Sequence, residues 1–362
     1  MKNLCVMIKP ASSLCNLRCE YCFYANIAGL REVRSYGVMP LLTAETVLRN
    51  IRSDLAPGDN ITFAFQGGEP TIAGLDWFRF FVSIMEGWKG IRVSYALQTN
   101  ATLLDDDWCD FLKRYNFLVG VSWDILPECH NSARVDPAGN GTHRRVLDGI
   151  ALLNKWHVEY NVLCTLTNLV ARHPNQVWKQ LIQHNIRYVQ FTPCLDALDK
   201  PGQSIYALTP KRFASFYNRI FELWYEDYRR GQYRSVKLFD DIVNLLVRGM
   251  PTACGIDGAC RPQMVVEADG SAYPCDFYCT DEYKLGSLAQ TGLRTLFESD
   301  SMRSFLNRPH VTPELCHSCK FQSLCGGNCK RMQRQVCCAP GDNFCGYQQF
   351  LSDHIVQLQN IL

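Results

Sequence analysis

The 362-residue chain has almost no net charge: 37 lysines and arginines stand against 35 aspartates and glutamates, a formal +2. That balance gives no electrostatic case for a polyanionic partner, so neither nucleic acid nor an anionic membrane surface is expected. No run of about twenty apolar residues occurs, so no membrane-spanning helix is expected either. The opening MKNLCVMIKP lacks a long apolar stretch and a small-residue cleavage site, which argues against a secretory signal. Low-complexity tracts and short internal repeats are also missing. Hydrophobic residues, at 47%, are ample for a core, and the length suits a barrel with an appendage.

Cysteine, by contrast, is abundant, with nineteen in the chain. With no secretory signal, metal or redox use explains them better than disulfides do. Three fall in the run CNLRCEYCFY, as Cys15, Cys19 and Cys22, spaced C-x3-C-x2-C. Three thiolates on one loop can hold three irons of a cubane [4Fe–4S] cluster and leave the fourth iron open for a substrate or cofactor. A structural zinc knot is the competing reading. It asks for a second nearby pair of ligands, and no cysteine or histidine follows until Cys109.

Apolar runs that read as buried strands are Cys5–Ile8, Ile61–Phe65, Val93–Leu97, Leu118–Ser122, Tyr160–Thr165 and Tyr188–Phe191. Helix-like stretches lie between them: Thr43–Leu55, Asp76–Trp88, Asp106–Tyr115, Arg144–Trp156 and Gln176–Asn185. Pro174 marks one helix start and Thr43 a weaker one. Such alternation predicts parallel βα units. The polar signals recur just after the strands: the cysteine loop, then Gln66-Gly67-Gly68-Glu69-Pro70, Gln98-Thr99-Asn100, Asp124, and Thr192 to Asp196. Barrel enzymes collect their active sites at those strand ends. Polar loops are ordinary one by one, but the recurrence is not.

The cysteine loop resembles the signature of the radical S-adenosylmethionine (SAM) superfamily, and Gly-Gly-Glu after the second strand resembles the element that binds the SAM amino group there. The resemblance implies an α/β fold built on a partial (β/α)6 TIM-like barrel, with a SAM-binding [4Fe–4S] cluster held by Cys15, Cys19 and Cys22. It also implies SAM contacts from Tyr21, Gly68, Glu69, Ser122, Arg134 and Leu195, Arg134 pairing with the carboxylate and Tyr21 and Leu195 lying near the adenine. Oxygen-labile clusters imply an anaerobic or low-oxygen cytoplasm.

More than half of the cysteines lie beyond residue 250. Cys254 and Cys260 flank GIDGA, and Cys275 follows a hairpin-like VVEADGSAYPC with Asp269-Gly270 at its turn. CHSCKFQSLCGGNC then supplies Cys316, Cys319, Cys325 and Cys329, and NFCGY supplies Cys345. This resembles the SPASM domain, which extends radical SAM enzymes acting on peptides and proteins. It implies a core over 1–232 and, over 233–362, a SPASM domain with a C-terminal helix. By the same resemblance one auxiliary [4Fe–4S] cluster takes Cys254, Cys260, Cys275 and Cys329, and a second takes Cys316, Cys319, Cys325 and Cys345. The spacing alone also permits a zinc ribbon. Cys5, Cys109, Cys129, Cys164, Cys194, Cys279, Cys337 and Cys338 are left over. Several sit in apolar contexts that suit buried thiols, and the pair at 337–338 lies close to Cys345.

Asp276 follows Cys275 directly, in YPCDFY. Spacing alone would let it cap a turn or pair with a cation. The long runs IKPASSLCNLRCEYCFY, FAFQGGEPTIAG, FLVGVSWD, LWYEDY and VVEADGSAYPCDFY together resemble the anaerobic sulfatase-maturating enzymes, which oxidise a Cys or Ser of a sulfatase to Cα-formylglycine. That resemblance implies a deoxyadenosyl radical acting at the substrate Cβ, Asp276 as general base, a sulfatase polypeptide as substrate, auxiliary clusters as electron acceptors and a flavodoxin- or ferredoxin-type donor. The chain departs from the family at Ala101 and Ile125, where glycine is common. Two alternatives stand beside this reading. One is a SPASM maturase that crosslinks a ribosomal peptide, for which a leader-gripping N-terminal domain is not evident. The other is a non-enzymatic iron–sulfur or zinc scaffold, which the open three-cysteine site and GGEP disfavour.

Overall fold

All six apolar runs form strands, each extended by up to two residues at an end. In chain order the strands are β1 (Asn3–Ile8), β2 (Asn60–Phe65), β3 (Arg92–Thr99), β4 (Leu118–Ser122), β5 (Tyr160–Leu166), β6 (Tyr188–Pro193), β7 (Ser235–Val236), β8 (Met264–Val266), β9 (Ser271–Tyr273) and β10 (Gly286–Ser287). The structure, a computed structural model, describes residues 2–309, 311–339 and 341–361. Its residues fall into two units. The first is Met1–Ser122, Arg134–Tyr160 and Pro262–Arg308; the second is Trp123–Ala133, Asn161–Arg261 and Pro309–Leu362.

In the first unit the strand order is β10-β9-β8-β1-β2-β3-β4. β1 to β4 are parallel, β8 joins β1 in parallel, and β9 and β10 add antiparallel edges. Parallel pairing follows from the helices between the strands, which carry the chain back. Along β2, Ile61, Phe63 and Phe65 are buried and alternate with half-buried neighbours, the period of a strand. Their rings meet those of the helix Leu75–Met85, with Phe65 and Phe78 centroids 4.9 Å apart and Phe63 and Phe81 5.2 Å apart. The helix expected from Thr43 begins instead at Leu41, directly after Pro40 and with no side-chain cap. Proline's fixed φ suits a helix entry, whereas the Thr46 hydroxyl donates back to the Leu42 carbonyl at 2.8 Å. The β8–β9 hairpin turns at Asp269-Gly270 as expected, with Gly270 at φ +85°.

The second unit carries β5, β6 and β7 in parallel. Its core is aromatic: Tyr217, Phe221 and Trp224 from the helix Pro210–Arg229 meet Phe239 from the helix Lys237–Arg248, and Tyr217 and Phe221 also meet Phe350 from the helix Gly346–Gln359. Thr209 caps the first of these, its hydroxyl accepting from the Arg212 amide, with Pro210 at the first helical position. No helix among the described residues is long and apolar enough to cross a membrane.

Candidate active site

The cysteine loop leaves the end of β1, and its last thiol starts a helix. Cys22 caps Phe23–Gly29, its sulfur accepting from the Ala25 amide at 3.4 Å. Cys15 accepts from the Leu17 amide at 3.4 Å. All three thiols are half-buried. Burial pushes Cys15 up to about 12, with Glu69, Cys19 and Cys22 adding to the rise. The neighbouring thiols thus oppose ionisation of Cys15, and bound iron would relieve that. Among the described residues no three His, Cys, Asp or Glu side chains gather tightly enough for one metal ion. A cubane gives each thiolate its own iron, and three thiols on one loop are the donor set it takes.

Three of the residues expected near SAM meet at this loop. The Arg134 guanidinium lies 4.0 Å from the Cys19 sulfur and 5.4 Å from the Tyr21 ring centroid. Gly68 is pressed against the loop's root: its amide donates to the Ser12 carbonyl at 2.9 Å, and a Cβ there would sit 2.1 Å from the Leu14 carbonyl oxygen. Glycine is thus needed for a close approach of two backbones. Glu69 is fully buried. It accepts from the Thr71 amide (3.1 Å) and hydroxyl (2.8 Å), the Thr99 hydroxyl (2.8 Å) and the Asn100 amide (2.7 Å). Burial raises its pKa, against those hydrogen bonds. Ser122 is buried at the end of β4. Leu195 is buried beyond β6, in the second unit.

Asp276 lies in the first unit, on a short turn after β9. Its carboxylate receives the Lys9 ammonium at 2.5 Å on one oxygen and the Gln66 amide at 3.0 Å on the other. The Phe277 ring next to it packs on Phe23, which follows Cys22, at 5.2 Å. Lys9 was not singled out from the sequence. The available signal was a lysine ending a buried strand, a position that demands a partner. Around it lies a further charged group that sequence reasoning also missed. Glu267 takes the Tyr24 hydroxyl, the Arg31 guanidinium (2.7 Å) and the Ser12 hydroxyl (2.9 Å).

In the second unit, Cys316, Cys319, Cys325, Cys337 and Cys345 all line one small cavity, with Phe321, Tyr347 and Leu351. Cys345 caps the helix Gly346–Gln359, accepting from the Gln348 amide at 3.4 Å. A hydrogen bond from Cys337 lowers Cys345 to about 7, helped by the backbone and opposed by burial. Cys254, Cys260 and Cys329 also belong to this unit. Gly255, at φ +74°, lies so close to Cys329 that a Cβ there would be 2.7 Å from the cysteine's own. Asp196 anchors the cysteine-rich segment, taking the Gln335 amide at 2.9 Å.

Residues 10–175 match the radical SAM superfamily, and residues 254–320 match the SPASM iron–sulfur cluster-binding domain. A cysteine-type anaerobic sulfatase-maturating enzyme of Clostridium novyi is 39% identical over 91% of this chain and 89% of its own. A serine-type enzyme of Bacteroides thetaiotaomicron is 28% identical over 96% of this chain and 89% of its own. The solved structure of native anSMEcpe with bound AdoMet covers 99% of both chains at a TM-score of 0.91 and 36% identity. Streptococcus suis SuiB with its precursor peptide SuiA, at 18% identity and a TM-score of 0.63 over 91% of this chain and 72% of its own, shares the fold. With both domains matched and the likeness running nearly end to end, this chain belongs to the anaerobic sulfatase-maturating enzymes of the radical SAM superfamily.

Proposed function

We propose that this enzyme oxidises a cysteine of a sulfatase polypeptide to Cα-formylglycine, with Asp276 as the base that takes the side-chain proton. The observation that carries the base assignment is the Asp276 carboxylate, fixed by Lys9 and Gln66 in the same unit as the cysteine loop. Cysteine rather than serine as target rests on the nearer likeness to cysteine-type relatives, 39% against 28% identity. A solved relative carrying a Cp18Cys peptide supports a peptide substrate.

Cys15, Cys19 and Cys22 would hold the SAM-binding cluster. In the second unit, Cys254, Cys260 and Cys329 would supply thiolates to one auxiliary cluster, and Cys316, Cys319, Cys325 and Cys345 would hold the other. Loaded, the cysteine-loop site would supply a 5′-deoxyadenosyl radical able to remove a hydrogen from the substrate Cβ, with the remaining electron passing to an auxiliary cluster and water replacing the sulfur as sulfide. Arg134, beside Cys19 and Tyr21, offers its cation to the SAM carboxylate. Gly68, Glu69 and Ser122, all of the first unit, would take part in SAM binding, and Asp276 would accept the thiol proton. We assign the core to 1–232 and the SPASM domain to 233–362, a flavodoxin- or ferredoxin-type donor as reductant, and the cytoplasm as the compartment.

The test is anaerobic incubation of reconstituted enzyme with SAM, a reductant and a C-x-P-x-R peptide. Replacement of SH2 by O in the peptide mass, with 5′-deoxyadenosine formed, is the expected result. Deoxyadenosine with an unchanged peptide would remove this peptide class from the reading.

A further inference from the structure

The Lys9–Asp276 pair is a buried ion pair with a specific division of labour. Lys9 is fully buried. Its ammonium sits 2.5 Å from one Asp276 oxygen and 3.6 Å from the Tyr24 ring centroid. The other nearby carboxylate, Glu267, is already neutralised by Arg31 and hydrogen-bonded by Tyr24 and Ser12. Two cations thus match two carboxylates, and the share of Lys9 is Asp276. Burial works against the Lys9 charge, but Asp276, Cys279 and Glu267 outweigh it and the net shift is upward.

A buried ion pair is weak grounds for stability, because an apolar pair of similar volume often serves as well. What it does provide is orientation. Lys9 follows β1 and Gln66 follows β2, so adjacent parallel strands each deliver one donor. Between them they engage both carboxylate oxygens, while about 10% of the Asp276 side chain stays accessible.

We infer that Lys9 is a positioning residue for the reaction: it holds the Asp276 carboxylate in the one orientation that meets the substrate side-chain proton. The inference rests on Asp276 being the base. Without that hold, radical formation and proton removal come apart, since a misplacement of about 1 Å can cost a hundredfold.

The experiment measures 5′-deoxyadenosine and converted peptide together, in wild type, Lys9→Met, Asp276→Asn and the double variant, with iron content and cluster absorbance as loading controls. In Lys9→Met the deoxyadenosine formed per peptide converted should rise by about a hundredfold. The loss should appear in kcat rather than in KM for the peptide. In the Asp276→Asn background, Lys9→Met should cost nothing further, because both act at one group. The double variant carries no unpaired buried charge, so it serves even where Lys9→Met alone fails to load or fold. An unchanged ratio in Lys9→Met, or a further multiplicative loss in the double variant, would overturn the inference. A wild type that leaves the peptide unchanged would instead strike at the proposed function itself.

Discussion

The two cysteine-bearing regions are built on different logic. In the first unit three thiols share a short loop, and the last caps the helix that follows. Their spacing is set by local chain geometry, so the sequence pattern and the spatial pattern are nearly the same thing. In the second unit, thiols from residues 316 to 345 converge on one cavity, and five line it where a cubane takes four. There the folding of the chain, through the Asp196–Gln335 anchor and the cap at Cys345, decides which sulfurs meet. Short-range ligand sets can be read from spacing. Long-range sets need the structure.

The sharpest way to break this contrast is in the loop. Cys19→Ala should abolish SAM cleavage, because a cubane with one open iron needs all three thiolates of the loop. Persistent deoxyadenosine formation would show that the loop is not the SAM-binding site. Asp276→Asn comes next: peptide conversion should fall by about 10²- to 10⁴-fold, the usual scale for a general base, while deoxyadenosine still forms. Conversion at the native rate would remove Asp276 from the reaction.

The second unit predicts a smaller and more selective outcome. Cys345→Ala should lose one cluster's worth of iron on reconstitution, whereas Cys337→Ala should retain the full complement. The reverse result would make Cys337 the ligand. The sequence left this choice narrow but open, since residues 337 and 338 lie so near 345. What separates them is the helix cap: the Cys345 sulfur receives a backbone N–H, the geometry that favours a thiolate. The strands were legible because β1 to β6 are apolar runs between helical stretches, and the hairpin because Asp-Gly marks its turn. Lys9, Arg31 and Glu267 were not, because a charged residue in a sequence does not announce that its partner lies more than two hundred residues away.

The smallest effects concern Ala101 and Ile125, one in each unit, where the family resemblance leads one to expect glycine. Both adopt positive φ, +60° and +66°, a region costing an L-residue about 1–2 kcal/mol. Each is fully buried, so glycine at either site would trade strain relief against lost packing. At Ile125 packing wins: a whole branched side chain leaves the core, a loss of about 2–5 kcal/mol even to alanine, so Ile125→Gly should lower the melting temperature. At Ala101 only a methyl is lost, worth about 0.8 kcal/mol, and glycine adds about 0.5–1 kcal/mol of backbone entropy cost. Those terms nearly cancel the strain, so Ala101→Gly should shift stability by less than about 1 kcal/mol. Thermal unfolding of the two variants side by side checks the ordering. Equal destabilisation would mean that the Ala101 methyl, packed where Gly149 crosses its backbone, holds the turn after β3 more firmly than its size suggests.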